Sequence, residues 1–140
     1  MREIKFRGKT NKSLGQKYGG KEVNQWVYGD LINWAGNSQI WEHNDEHSNF
    51  IVDEKTIGQF TGLKDKNGKE IYEGDLLKIK ETYEHIGGVH KVVFYAGSFV
   101  SYNIIHSDIK QVPKYLLRDL FNNEEVELIG NIHENKGLLK

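Results

Sequence analysis

The sequence predicts a mainly β fold, a small antiparallel and partly closed barrel, SH3-like at most, with one or two short helices. Three observations carry that expectation. Apolar and polar residues alternate with period two in several short runs. Glycine-containing pairs such as Asn67-Gly68 and Gly74-Asp75 fall where such runs must reverse. With 140 residues, 37% of them hydrophobic, the chain can bury one core without disulfide or metal staples.

Ile4 and Phe6 alternate with Glu3, Lys5 and Arg7, which predicts a strand starting almost at Met1. The run GKTNKSLGQKYGGKE from Gly8 to Glu22 is glycine, lysine and small polar residues, and reads as a flexible loop. Gln25 to Trp34 and the following SQIWEHNDEHSNFIV predict two strands joined through HNDEH. Lys55 to Phe60 predicts a brief strand or turn before Thr61-Gly62.

Asn67-Gly68, set among charged residues, accepts the positive φ of a tight hairpin, so Leu63 to Ile79 should fold back on itself with Leu76, Leu77 and Ile79 facing the core. After the charged segment KETYEHIGG, one parity class holds Val89, Lys91, Val93 and Tyr95 and the other holds His90, Val92 and Phe94. Ala96-Gly97-Ser98 then turns into a second hairpin. Leu116, Leu120 and Phe121 have helical spacing, and Pro113 suits a helix start. Val126, Leu128 and Ile129, interleaved with Glu125 and Glu127, predict a closing strand that ends near Gly130-Asn131-Ile132. No internal repeat or linker divides the chain, so residues 1–140 are expected to form a single domain with a flexible loop near 8–22.

Composition excludes several classes of function. Nineteen basic and 20 acidic residues leave a formal charge of -1, so no global field attracts nucleic acid or an anionic membrane. The absence of cysteine removes thiol nucleophiles and thiolate metal ligands and is compatible with a reducing compartment. No uncharged apolar run has the length of a signal sequence or membrane span.

Chemical motifs are sparse. DKNGKE clusters oxygen-bearing side chains, but Gly68 comes only three residues after Asp65, too early for a helix-flanked calcium loop, so the segment reads as an exposed turn. His43 and His47 could hold a metal with Asp45 or Glu46, yet asparagine, aspartate and serine make a solvated connection the stronger reading. His85, His90, His106 and His133 are scattered and read as structural or exposed. Glu73 with Asp75, and Glu125 with Glu127, share strand parity but lack a visible pocket or positioning group. The serines form no GxSxG elbow, and phosphate and dinucleotide loops are missing.

Lys9, Lys12, Lys17 and Lys21 lie close in sequence to Tyr18 and Trp26, types that contact phosphates and stack on bases; a plain solvated loop is the bland alternative. Trp26, Trp34, Trp41, Phe60, Tyr72, Phe94, Tyr95 and Phe99 are expected mostly in the core, with two or more left for an interface. The candidate binding residues are Lys17, Tyr18, Lys21, Lys66 and Asn67. No residue is assigned to catalysis or metal binding, and no cofactor is expected.

Five segments resemble the YopX family of small phage and prophage proteins: MREIKFRG (1–8), WVYGDL (26–31), IGQFTGLKDKNGKEIYEGDLLKI (57–79), VVFYAGSF (92–99) and ELIGNIHEN (127–135). They frame nearly the whole chain. The resemblance implies a mainly β fold in a protein carried by bacteriophages or integrated phage genomes, with no transferable catalytic mechanism; with the absence of cysteine, the bacterial host cytoplasm is the expected location. Its motif residues include Gly58, Gln59, Thr61, Gly62, Asp65, Asn67, Gly68, Tyr72, Gly74 and Asp75, whose physical reading is turns and strand edges. The chain departs from the commoner short form at Gly8 to Glu22 and at HNDEH, so partner contacts there would be its own.

The resulting functional expectation is a noncatalytic module that binds a protein partner, with homo-oligomers allowed and no membrane association. The first alternative is nucleic-acid binding. The second is a metal-assisted hydrolase using His43, Asp45 and His47.

Overall fold

The computed structural model describes residues 2–11, 24–43, 48–105, 110–121 and 126–139. They fall into two compact units, Met1–Phe60 and Thr61–Lys140. The first contains β1 (Phe6–Lys9), β2 (Trp26–Trp34), β3 (Asn37–Trp41) and β4 (Asn49–Ile51); β5 (Gly58–Lys64) runs across the boundary. The second contains β6 (Glu70–Tyr72), β7 (Asp75–Ile79), β8 (Gly88–Tyr95), β9 (Ser98–Asn103), β10 (Tyr115–Leu116), α1 (Leu117–Leu120) and β11 (Val126–Asn131).

The partly closed, SH3-like barrel is not what forms. The strands lie in two open sheets, ordered β4-β3-β2-β1-β5-β6 and β10-β9-β8-β7-β11. Barrel closure requires the end strands to pair with a consistent stagger. Here the end strands β4, β6 and β10 are only two or three residues long, too short to build a closing ladder. One α-helix of four residues is present among the described residues, together with 3-10 turns at Glu54–Thr56 and Lys136–Leu139.

In the first unit the core lies on one sheet face. Val27, Ile40, Phe50 and Val52 are buried, with Phe6, Leu31 and Ile57 against them, and the pairings Leu31↔Ile40 and Ile40↔Phe50 put these side chains on the same side. β1 begins at Phe6 rather than near Met1, and Ile4 is exposed. The segment read as one strand on each side of HNDEH contains three, because β2 and β3 are joined by Ala35-Gly36, both at positive φ. β3 and β4 do pair antiparallel, while HNDEH includes residues 44–47, outside the described residues.

The second unit is built on β7, whose Asp75, Leu76, Leu77 and Ile79 are buried. Its core joins Ile71, Leu77, Ile79, Val92, Leu117, Leu120 and Val126. Truncating Leu77, which is fully buried, to alanine would cost about 2–5 kcal/mol. The two expected hairpins form: β8 and β9 pair from His90↔Asn103 to Tyr95↔Ser98 around Gly97, and the Asp65 N–H donates to the Lys69 carbonyl across Asn67-Gly68. α1 starts four residues after Pro113, because Tyr115–Leu116 first add a short strand to β9.

Gly29 marks the tightest constraint in the first unit. A Cβ there would sit 1.9 Å from the Trp41 carbonyl oxygen, a backbone atom that cannot rotate away. Gly29→Ala is therefore expected to destabilise the protein by about 2–3 kcal/mol or more. Urea unfolding checks this, with Gly137→Ala, whose added Cβ meets nothing within 4 Å, expected to be close to neutral.

Candidate functional site

The turn that carries the predicted residues Lys66 and Asn67 is organised by a buried carboxylate. Asp65 Oδ1 accepts the N–H groups of Asn67 and Lys69, each at 2.9 Å, and Oδ2 accepts the Leu128 N–H at 2.9 Å. Burial alone would raise the Asp65 pKa; the three N–H donors of Leu128, Lys69 and Asn67 and the charge of Lys69 outweigh it and hold the carboxyl below its ordinary value. Lys66 donates its backbone N–H to Val126 and extends its ammonium to Glu127 at 3.5 Å. Beside the turn lies a depression of about 440 Å³ lined by Lys64, Asp65, Lys66, Phe121 and Val126. A carboxylate whose lone pairs are already engaged, and whose pKa is lowered, is poorly suited to take up a proton in catalysis.

A second feature is the connection from β7 to β8. Thr82 Oγ1 accepts the N–H groups of Glu84 and His85, and the Thr82 N–H donates to the His85 carbonyl, folding the tip into a tight turn. Two side chains distant in sequence, together with His90 four positions on, then brace its far end. Tyr115 Oη accepts the Ile86 N–H at 3.1 Å, and Asn103 Nδ2 donates to the Gly87 carbonyl at 2.7 Å. His90 lies 2.7 Å from the Ile86 carbonyl through Nε2 and 3.0 Å from Ser101 Oγ through Nδ1. A carbonyl can only accept, so Nε2 carries the proton and Nδ1 accepts from the Ser101 hydroxyl. The tip presents Tyr83 fully to solvent.

His90 is completely buried. Burial pushes its pKa below the ordinary value, helped by the charge of His85, and the hydrogen bonds to Ile86 and Gly87 do not restore it. The neutral ring is thus part of the brace.

The other predicted residues are scattered. Lys17, Tyr18 and Lys21 lie outside the described residues, as do Asp45, Glu46, His47 and Glu125. His43 pairs with Asp30 at 2.8 Å. Among the described residues no three histidine or carboxylate side chains converge as a metal site. Asp75 is buried and accepts the Tyr72 N–H at 2.7 Å, a structural role. Lys9 and Trp26 do come together, at 5.4 Å, with Arg7 closer at 4.4 Å.

The aromatic set departs from the expected core. Only Phe60 and Tyr72 are buried, whereas Trp34, Trp41, Phe94 and Tyr95 are exposed. The Tyr83 loop was missed in sequence because KETYEHIGG reads as charged and polar; its braces come from residues up to 29 positions away.

The YopX protein family matches residues 5–140. The chain belongs to the YopX family. This YopX protein is thereby placed in a phage-associated, mainly β family, and membership brings no reaction with it. No curated protein sequence matches it. The crystal structure of protein EF1440 from Enterococcus faecalis is similar over 100% of both chains, at 23% identity and a TM-score of 0.47. No described helix is long and apolar enough to cross a membrane.

Two titrations separate the roles of Asp65 and His90. Asp65→Asn should cost about 2 kcal/mol at neutral pH, since three N–H groups lose a charged acceptor. Because the folded pKa is lowered, the wild-type advantage is full above the unfolded Asp value and disappears as pH falls through the folded one. Urea-unfolding curves of both proteins from pH 7 down into the acid range check this. For His90 the unfolded ring protonates near 6.5 while the folded ring resists to lower pH. Stability should therefore be level above that value and decline below it, with the decline reduced in His90→Gln.

Proposed function

We propose that this YopX protein is a noncatalytic phage accessory protein that binds a protein partner in the host cytoplasm through the loop from Lys80 to Gly87. The single observation that carries the reading is Tyr83, fully exposed at the tip of a loop braced by Tyr115, His90 and Asn103. A loop whose backbone is already braced loses little conformational freedom on binding, and tyrosine is among the types that dominate binding energy at protein interfaces. Ile86 and Ile105 add exposed apolar surface, while Glu81 and Glu84 flank Tyr83 in sequence. This composition suits an apolar pocket with a basic rim. The nearly full-length family match supports treating both compact units as one functional domain. Lys66 and Asn67, at the exposed turn, and Lys17, Tyr18 and Lys21 stand as additional proposed contacts.

The test is site-specific photocrosslinking in infected cells, with p-benzoylphenylalanine replacing Tyr83 in the full chain. A discrete adduct with one host or phage protein is expected, diminished when Tyr115→Phe removes the hydroxyl that accepts the Ile86 N–H. Purified partner should bind the Tyr83→Ala variant about tenfold more weakly or worse. The absence of a discrete adduct, or an affinity indifferent to Tyr83, would overturn the reading.

A further inference from the structure

In the first unit, the outward face of β2, β3 and β4 is built of aromatic rings and short polar side chains. These three strands contain no lysine or arginine; Arg7 and Lys9 lie on the neighbouring β1, against Trp26. Val27, Leu31, Ile40 and Phe50 turn to the core. The opposite parity therefore faces outward, with Tyr28, Asp30, Ile32 and Trp34 on β2 and Asn37, Gln39 and Trp41 on β3. The register sets Trp41 between Asp30 and Asn49, and Gln39 between Ile32 and Ile51. Tyr28, Trp41 and Trp34 are 42%, 41% and 69% exposed, enough for each to offer a ring face to solvent. Ile32 and Ile51 are half-buried.

The polar groups between the rings have a fixed orientation. Trp41 Nε1–H donates to Gln39 Oε1 at 3.3 Å, and Asn49 Nδ2 donates to the same oxygen at 3.1 Å. An indole N–H can only donate, so the Gln39 oxygen faces Trp41 and its amide N–H groups point elsewhere. Asp30 gives Oδ2 to His43 at 2.8 Å. Among the described residues, the Gln39 N–H donors, the Asn49 side-chain carbonyl and Asp30 Oδ1 have no further partner. Donors and acceptors thus stand side by side at the level of Trp41.

A sugar ring presents an apolar face of C–H bonds and a rim of hydroxyls, each at once donor and acceptor. The negative face of an aromatic ring attracts the C–H groups, and the hydroxyls are satisfied by adjacent amides and carboxylates. We propose that this face binds a neutral, extended oligosaccharide, with sugars stacked on Tyr28, Trp41 and Trp34 and their hydroxyls bonded to Asp30, Gln39 and Asn49. Tyr28 and Trp34 lie six positions apart on one strand, so the rings spread over about 20 Å, the length of several linked sugars. A nucleic acid would bring its phosphates to the Asp30 carboxylate, with no lysine or arginine on these strands to receive them. A protein interface has an apolar centre and a polar rim; here the carboxylate and amides sit between the rings.

The experiment is isothermal titration of the full chain with cellohexaose and with chitohexaose, both uncharged and extended. Binding of at least one is expected, with an affinity unchanged by added salt because the ligand carries no charge. Trp34→Ala and Trp41→Ala should each weaken it by about fivefold or more, and Asp30→Ala by about tenfold. Trp34→Phe should retain most of the affinity, since a ring face remains. Thermal melts of each variant confirm folding before affinities are compared; Trp34 is the most exposed of the three rings, so its removal leaves the core closed. Failure of both sugars to bind overturns the proposal, as does an affinity indifferent to Trp34 and Trp41 or one that falls steeply with salt. A dimer in sedimentation that Trp41→Ala disperses, without sugar binding, would also overturn it and assign the face to a second copy of this chain. Tyr83→Ala should leave sugar affinity unchanged, and a loss there would overturn the assignment to this face. The loop reading stands or falls separately, on the crosslinking result.

Discussion

The buried carboxylate of Asp65 is the interaction on which the second unit is organised. One oxygen closes the Asn67-Gly68 turn and the other accepts the Leu128 N–H of β11. The hairpin and the outer strand are therefore held by one side chain. β11 ends its sheet, and an outer strand with free N–H and C=O groups is a template for unwanted pairing. Asp65 takes one of those groups and the Lys66 N–H takes another, at the Val126 carbonyl. The charged acceptor serves both turn geometry and edge protection.

Other family-motif residues have the same architectural character. Asp75 accepts the Tyr72 N–H, Gly74 bonds to the Val92 carbonyl, and the Ile132 N–H returns to Gly74. Asn131 Oδ1 accepts from His133 and Glu134 and so closes the turn after β11. The long central motif and ELIGNIHEN thus shape turns and strand ends. The surface proposed to bind a protein partner lies elsewhere, on the Tyr83 loop between two motifs. The backbone of that loop is held by hydrogen bonds at Ile86 and Gly87 before any partner arrives, a condition that lowers the ordering cost of association.

Much of the fold was legible in local pattern. Alternation located the strands of β7, β8 and β9, and Asn67-Gly68 and Gly97 located two reversals, because turn chemistry and side-chain parity are properties of a few consecutive residues. Parity was less informative where both faces carry apolar or aromatic residues. In WVYGDLINW either set could face the core, and it is Val27 and Leu31 that do so while Trp26 and Tyr28 face outward. Barrel closure failed as an expectation for a related reason: it depends on which end strands meet, and no local pattern encodes that.

The sequence by itself determined that this chain is a mainly β member of the YopX family, with its central hairpin at Asn67-Gly68. Those features rest on local conformational preference and on motif identity. Only the tertiary structure decided that the sheets stay open, that Asp65 reaches Leu128 across 63 positions, and that His90, Asn103 and Tyr115 meet at one loop. The physical reason is that a buried hydrogen bond is satisfied by whatever donor the packed chain brings within about 3 Å, and that neighbour is chosen by the fold as a whole.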